Sequence, residues 1–509
     1  MPSPHLADAV GTHREKHPDR VALSCCHLSV TYQQLDDLTR TFADRLGRLS
    51  LAPGDTVCVP GHKTPGTVAL LLAVFRQGLV ALVPSPDLGA EALGRLSRQA
   101  RARQLLHAGE QGALSVEPIE PDEDEATGFT VADPARTRLL LTTSGSTGTP
   151  KIVPIPVDGF TAFADWAADA FGLSGDDVAL SYAPLNFDLA LLDVWTFLRL
   201  GAEVVLVGKE HATDARRLRD LVTGRGVSFV QGVPLLHRLL TEHLNETTED
   251  SAGTTGPYPT VRQAVFTGES MPADLLPPVF AAFPAARLHN VFGCTETNDS
   301  FIHEVSRTPV RDRMPIGRPL PGVRTLVVGA DGDPLDGPGG GELLVSTPFQ
   351  TDGYLRAALN EEAFTEIDGR SYYRTGDLVT RAEDGLVRLE GRADWQVKVR
   401  GIRTNLQEVE SVIEAHPDVA EAVVVALPDD QAGVRLHASV TRRPAAALTG
   451  LGLRAHAGAR LPRHAIPSSV HITDQPLPRT STGKPDRNRI KADRLADHTA
   501  GRTKETTTT

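Results

Sequence analysis

The chain has 509 residues, enough at about 150 per domain for two to four domains with a large core. Its 64 acidic against 52 basic residues give a net charge of −12, which argues against the basic footprint of a nucleic-acid binder. The 40 % hydrophobic content contains no run of about 18 uncharged apolar residues, so no membrane span or membrane partner is expected.

Residues 1–10 lack a basic-then-apolar leader, and a cytoplasmic location is expected. Residues 28–32 read as a strand, and 32–49 carry apolar positions at helical spacing. Helices are predicted at 68–75 and 91–99, with a short buried strand at 81–83. An apolar run at 139–142 stops at a Gly-rich loop. Asp188 precedes an apolar stretch, 189–198, for which it could serve as a helix cap. Buried strands are predicted at 204–207, 227–230 and 264–266, with helices at 215–222 and 235–244 and a polar surface loop at 245–259. Strands alternating with helices predict parallel sheets wrapped by helices. The four cysteines, Cys25, Cys26, Cys58 and Cys294, have neither zinc-ligand spacing nor a disulfide framework.

After about residue 323 the rhythm changes. Short strands at 325–328, 341–345, 372–378 and 386–389, with turns such as Ala330-Asp331-Gly332-Asp333, predict a β-rich subdomain over about 323–393. From 393 a strand at 396–400, a helix at 405–415, a strand at 419–426 and a helix at 445–460 predict a small α+β unit. The fold class is therefore α/β: a large N-terminal domain over 1–393 and a small α+β C-terminal domain over 394–495. The polar, Thr-rich tail from 496 to 509 is expected to be disordered.

The most specific stretch is Leu141-Thr142-Thr143-Ser144-Gly145-Ser146-Thr147-Gly148-Thr149-Pro150-Lys151. Glycines let backbone N–H groups approach an anion, hydroxyls add donors and a lysine adds charge. A mononucleotide P-loop needs Gly-Lys followed by Ser or Thr. Here Pro150 precedes Lys151 and Ile152 follows it, so that reading fails.

Other motifs follow in order. They are Asn290-Val291-Phe292-Gly293-Cys294-Thr295-Glu296, Gly341-Glu342-Leu343 and Tyr373-Arg374-Thr375-Gly376-Asp377-Leu378. Then come Gly391-Arg392-Ala393-Asp394-Trp395-Gln396-Val397-Lys398-Val399-Arg400-Gly401 and Pro478-Arg479-Thr480-Ser481-Thr482-Gly483-Lys484. The ordered set, across roughly residues 28–490, resembles the adenylate-forming superfamily, and within it the adenylation domains of nonribosomal peptide synthetases. The chain departs from that pattern at Phe292, where Tyr is usual, and at Cys294, where Pro is usual.

The resemblance implies two half-reactions with ATP and Mg²⁺ as cofactors. A carboxylate attacks the α-phosphate of ATP and expels pyrophosphate; a thiol then displaces AMP. By resemblance, Thr142, Thr143, Ser144, Gly145, Ser146, Thr147, Gly148 and Lys151 surround the β- and γ-phosphates. Glu296 holds Mg²⁺, Thr295 contacts the α-phosphate, and Phe292 with Gly293 flanks adenine. Asp377 takes the ribose, Arg392 adds a second ribose or phosphate contact, and Lys484 bridges the carboxylate and the α-phosphate. Asp394 is the hinge of a mobile small domain, and Gly401 lines the thiol tunnel.

Asn186-Phe187-Asp188 resembles the segment whose Asp pairs with the α-ammonium in amino-acid-activating members. The pocket implied by resemblance is Leu189, Leu192, Gln231, Val265, Thr267, Val291, Asp299 and Ser300. Asp299 invites a donor or cationic group on the substrate, whereas the two leucines argue against a large aromatic side chain; a compact cyclic imino acid is an alternative. No Gly-Gly-x-Ser attachment site follows Lys484, so the expected partner is a separate phosphopantetheinylated carrier protein. The competing readings are an acyl- or aryl-CoA ligase, which does not need Asp188, and a non-catalytic nucleotide-binding relative.

Overall fold

The computed structural model describes residues 6–25, 28–143, 151–242, 256–269, 271–307, 314–329, 331–392, 396–399, 402–429, 433–444, 446–461, 465–480 and 483–505. The chain divides into two compact units. One comprises Met1–Leu326, Leu344–Thr375 and Glu383–Arg388; the other comprises Val327–Leu343, Gly376–Ala382 and Leu389–Thr509.

The first unit contains a six-stranded sheet in the order Leu114–Pro118, Ala102–Ala108, Thr56–Cys58, Val80–Leu82, Thr137–Thr143, Lys151–Pro156. Its four inner strands are parallel and its two margins antiparallel. Helix Pro65–Arg76 is the crossover between Thr56–Cys58 and Val80–Leu82. Thr64 Oγ1 caps it by accepting from the Thr67 N–H at 3.1 Å, and Pro65 sits in the first turn, where no N–H is needed. Residues 67–74 of this helix are all buried, as covering a parallel sheet requires.

A second sheet in this unit runs Pro315–Pro319, Asn298–Val305, Arg287–Cys294, Gln263–Thr267, Phe229–Gly232, Val178–Ser181, Glu203–Leu206, Val21–Cys25, Leu28–Thr31. From Arg287–Cys294 to Val21–Cys25 all pairs are parallel; the margins are antiparallel. Strands Phe229–Gly232 and Gln263–Thr267 are buried along their length, because helices cover them. Helix Tyr32–Leu46 starts at a capping box in which Thr31 and Gln34 each bond the other's backbone N–H.

The second unit has an antiparallel pair, Val419–Asp429 and Gly433–Arg442, with Ser469–Thr473 parallel to the latter. Val409, Ile413, Val424, Ala438, Val440 and Leu453 form its core. Glu410 is buried there. It accepts the Val424 N–H at 2.5 Å and pairs with both terminal nitrogens of Arg487, which anchors helix Arg487–Glu505.

The predicted α/β class and the strands after residue 323 are observed, the latter as Arg324–Val328, Gly339–Ser346, Arg370–Arg381 and Val387–Arg392. Three local expectations differ. The apolar stretch after Asp188 is not a regular helix: Leu191–Thr196 is a π-helical turn, in which the Thr196 hydroxyl bonds the Leu191 carbonyl at 2.7 Å. The helix expected at 445–460 is Gly450–Gly458, because Thr449 caps it. The tail expected to be disordered from 496 instead continues the helix to Glu505, since alanine, lysine, arginine and glutamate favour helix. Most of the expected loop at 245–259 lies outside the described residues. No helix among the described residues is long and apolar enough to cross a membrane.

Replacing Arg487 with Met leaves the buried Glu410 carboxylate without its cation. Breaking such a pair costs about 3–5 kcal/mol, so urea unfolding of the C-terminal unit should shift by about that amount. The double replacement Glu410→Met with Arg487→Met should recover much of the loss, because no charge is then buried.

Candidate active site

In open α/β sheets, ligands bind beyond the carboxyl ends of the parallel strands. Here those ends carry Gln231, Val265, Thr267 and Val291, with Gln231 paired to Val265 and Thr267 to Val291. All four are buried. The strand Arg287–Cys294 changes register between Phe292, opposite Phe301, and Gly293, opposite Asp299. A Cβ on Gly293 would lie 2.2 Å from the Asn298 carbonyl oxygen, so the close approach requires glycine. Asn298 takes φ +55°, which asparagine tolerates, and the Thr297 N–H bonds the Cys294 carbonyl at 3.1 Å. This tight connection carries Thr295 and Glu296.

The Thr295 hydroxyl donates to Asp188 Oδ2 at 2.7 Å. Asp188 is half-buried, and the π-helical turn that follows it begins at Leu191 with Ala190 in the cap position. Asp299 is also half-buried; burial, and then the Asp188 charge, push its carboxyl up to about 7. The Gln231 amide donates to the Leu189 carbonyl at 3.2 Å. The Ser300 hydroxyl bonds that of Thr297 at 3.1 Å. Leu192 is buried in the π-helical turn. The structure thus brings Asp188, Thr295 and Asp299 together, with Leu189 and Gln231 in direct contact beside them.

A second cluster surrounds Glu296. Its Oε1 accepts the Tyr354 hydroxyl at 2.5 Å, and the Tyr354 and Tyr373 hydroxyls lie 3.3 Å apart. Burial, together with the Glu296 charge, pushes the Tyr354 phenol well above its ordinary range, so it stays a donor. Lys151 Nζ lies 3.5 Å from the same hydroxyl and 4.8 Å from the ring centroid. Sequence reasoning missed Tyr354. Its neighbours Gly353 and Leu355 carry no charge, and only the fold brings it 58 positions back to Glu296.

Thr143 pairs with Lys151 at the ends of two antiparallel strands, and the buried Thr143 hydroxyl has no hydrogen-bond partner among the described residues. Thr142 lies on the same strand. The intervening Ser144, Gly145, Ser146, Thr147 and Gly148 lie outside the described residues. An orphan hydroxyl beside a lysine suits an anion. Among the described residues no cluster of three or more His, Cys, Asp or Glu could hold a metal alone. The single buried carboxylate of Glu296 fits Mg²⁺ that takes its other ligands from phosphate and water. Phe292 packs edge-on against Phe301, with ring centroids 5.9 Å apart.

The remaining predicted residues belong to the second unit. Asp377 is buried on strand Arg370–Arg381. Lys484 is exposed on a closed turn: the Thr480 N–H bonds the Lys484 carbonyl at 2.8 Å, and Gly483 has φ +82°. Arg479 braces that turn by bonding the Gly483 carbonyl at 2.5 Å and Glu421 at 2.8 Å. Arg392 ends strand Val387–Arg392, and its side chain, like Asp394 and Gly401, lies outside the described residues.

Residues 11–355 match the family model described as AMP-binding enzyme, and 408–484 that of the AMP-binding enzyme C-terminal domain. The chain is 31 % identical to the phenyloxazoline synthase MbtB of Mycobacterium sp. (strain MCS), over 94 % of this chain and 41 % of that one. It is 29 % identical to an L-proline–[L-prolyl-carrier protein] ligase of Pseudomonas fluorescens, over 93 % of this chain and 96 % of that one. The structure of Klebsiella oxytoca NpsA in complex with 3-hydroxyanthranilyl-AMSN has the same fold, with a TM-score of 0.78 at 24 % identity, covering 96 % and 99 % of the two chains. The chain therefore belongs to the AMP-binding enzyme family of adenylate-forming, ATP-dependent ligases.

Proposed function

We propose that this ligase activates an amino acid as its aminoacyl-AMP and passes it to the phosphopantetheine thiol of a separate carrier protein. The observation that carries this reading is the Asp188 carboxylate, oriented by Thr295 at 2.7 Å next to Asp299. An ammonium ion loses hydration on entering such a site, and a close carboxylate offsets that cost. The carrier-protein ligase among the relatives supports the second half-reaction.

In the first half-reaction, a substrate carboxylate oxygen bonds to the α-phosphorus and the bond to pyrophosphate breaks. In the second, the thiol sulfur bonds to the carbonyl carbon, the acyl–phosphate bond breaks, AMP leaves and the thiol proton is released. Negative charge concentrates on phosphoryl oxygens, so catalysis is positioning plus oriented donors and cations. Lys151, Thr142, Thr143 and the loop between them are assigned to the β- and γ-phosphates. Phe292 offers its ring to adenine, Asp377 and Arg392 take the ribose, and Lys484 brings its ammonium to the reacting oxygens. Mg²⁺, when bound at Glu296, neutralises phosphate charge. The Thr295 hydroxyl has one hydrogen to donate, and in this structure Asp188 accepts that hydrogen bond. An arriving ammonium that pairs with Asp188 frees the Thr295 hydroxyl, still protonated, to donate its hydrogen bond to an α-phosphate oxygen. Asp394 as hinge, Gly401 as part of the thiol path and a cytoplasmic location complete the reading. Asp299 selects a side chain with a donor or cationic group, against the apolar Leu189, Leu192, Val265 and Val291.

Pyrophosphate exchange over an amino-acid panel is the direct test; no exchange with any amino acid, but exchange with an aryl or fatty acid, overturns the proposal. Asp188→Ala should lower kcat/KM for the best amino acid by about 100-fold, roughly 2.7 kcal/mol, and cost its des-amino analogue little.

Asp299 must be ionised to pair with a cation. For a substrate with a cationic side chain, KM should therefore fall as pH rises through about 7 and level off roughly one unit above it. Asp299→Asn should remove that dependence in the same exchange assay.

Tyr354→Phe deletes one hydrogen bond to a buried carboxylate, worth about 1.5–3 kcal/mol. It should lower kcat/KM for ATP by about tenfold or more while leaving the melting temperature close to wild type.

A further inference from the structure

Lys63 lies on the loop between strand Thr56–Cys58 and helix Pro65–Arg76, outside every motif of the site. Lys63 is half-buried, with its ammonium buried, and it donates to the Ser181 carbonyl at 2.6 Å and to the Ala183 carbonyl. Asp193, fully buried in the π-helical turn, accepts the Ser181 hydroxyl at 3.0 Å and the Tyr182 N–H. Its second oxygen has no hydrogen-bond partner among the described residues. Burial drives the lysine toward its neutral form and the carboxyl toward its protonated form; their opposite charges counteract both shifts.

Ser181 ends strand Val178–Ser181, and Asp193 belongs to the turn that resumes regular structure. The chain between them makes the excursion that carries Asp188. The Ser181–Asp193 hydrogen bond ties its two ends together, and Lys63 grips its first carbonyls. The loop of Lys63 also lies against the excursion directly: a Cβ on Gly61 would be 3.2 Å from the Asn186 nitrogen. Buried ions are costly, and apolar residues hold a fold at least as well. π-helical turns are frequent at functional sites.

We propose that Lys63 and Asp193 are positioning residues that clamp the Ser181-Tyr182-Ala183 segment and thereby hold Asp188 where it meets the substrate amino group. The clamp acts through Asp188 and rests on the reading of Asp188 as the ammonium partner.

The test measures pyrophosphate exchange with the most active amino acid of the panel. The variants are Lys63→Met/Asp193→Leu, Asp193→Asn, Asp188→Ala and Asp193→Asn combined with Asp188→Ala. The two clamp variants should raise the amino-acid KM about tenfold or more, with kcat and the ATP KM within about threefold of wild type. Asp193→Asn should add no further rise in the Asp188→Ala background, whereas a merely structural role acts equally in both. Wild-type amino-acid KM in folded clamp variants, alongside a raised KM in Asp188→Ala, overturns the clamp and leaves the reading of Asp188 standing. An unchanged KM in Asp188→Ala overturns that reading, and the clamp with it. If the double variant does not fold, the isosteric Asp193→Asn decides by the same comparison.

Discussion

The Thr295–Asp188 hydrogen bond joins segments 107 positions apart, and the chemistry of the site depends on that junction. A half-buried carboxylate is unfavourable unless a donor faces it. Thr295 can face it only because Gly293 lets the neighbouring strand approach closely and Asn298 accepts a positive φ. Asp299, on the strand beside them, feels the Asp188 charge, which together with burial raises its carboxyl.

The Glu296 cluster follows the same logic with phenols. Tyr354 and Tyr373 are buried, and burial keeps their hydroxyls protonated. A phenol that cannot ionise is a fixed donor, so Tyr354 orients Glu296 without adding negative charge. Lys151 lies over the same ring and links this cluster to the strand pair that frames the Gly-rich loop. Asp188 and Glu296 thus each accept from a neutral hydroxyl, Thr295 and Tyr354 respectively.

Buried charges elsewhere are held in related ways. Asp36 is fully buried and is met by Arg40 at 2.7 Å and Arg76 at 2.8 Å, which ties two helices together. Glu410 meets Arg487 in the second unit. Lys63 and Asp193 differ from these, because they grip backbone and hydroxyl groups of the segment leading to Asp188. Their desolvation cost secures a conformation at the site.

The sequence by itself determined the α/β class, the family and the motifs that nominate the site residues. Those features lie in short-range patterns: apolar runs, glycines at turns, and motifs whose residues are close in the chain. Asp188 and Glu296 were legible because each sits inside such a motif. Local pattern could not supply the partners. Spacing leaves Asp188 as a helix cap or a ligand partner, and only the fold adds the π-helical turn after it and its contact with Thr295. Tyr354 carries no local signal, and Lys63 resembles any solvated lysine until the fold buries its ammonium against Ser181 and Ala183. The tertiary structure decided these because burial and long-range contact, unlike spacing, depend on which strands lie side by side, and so does the cost of every buried charge.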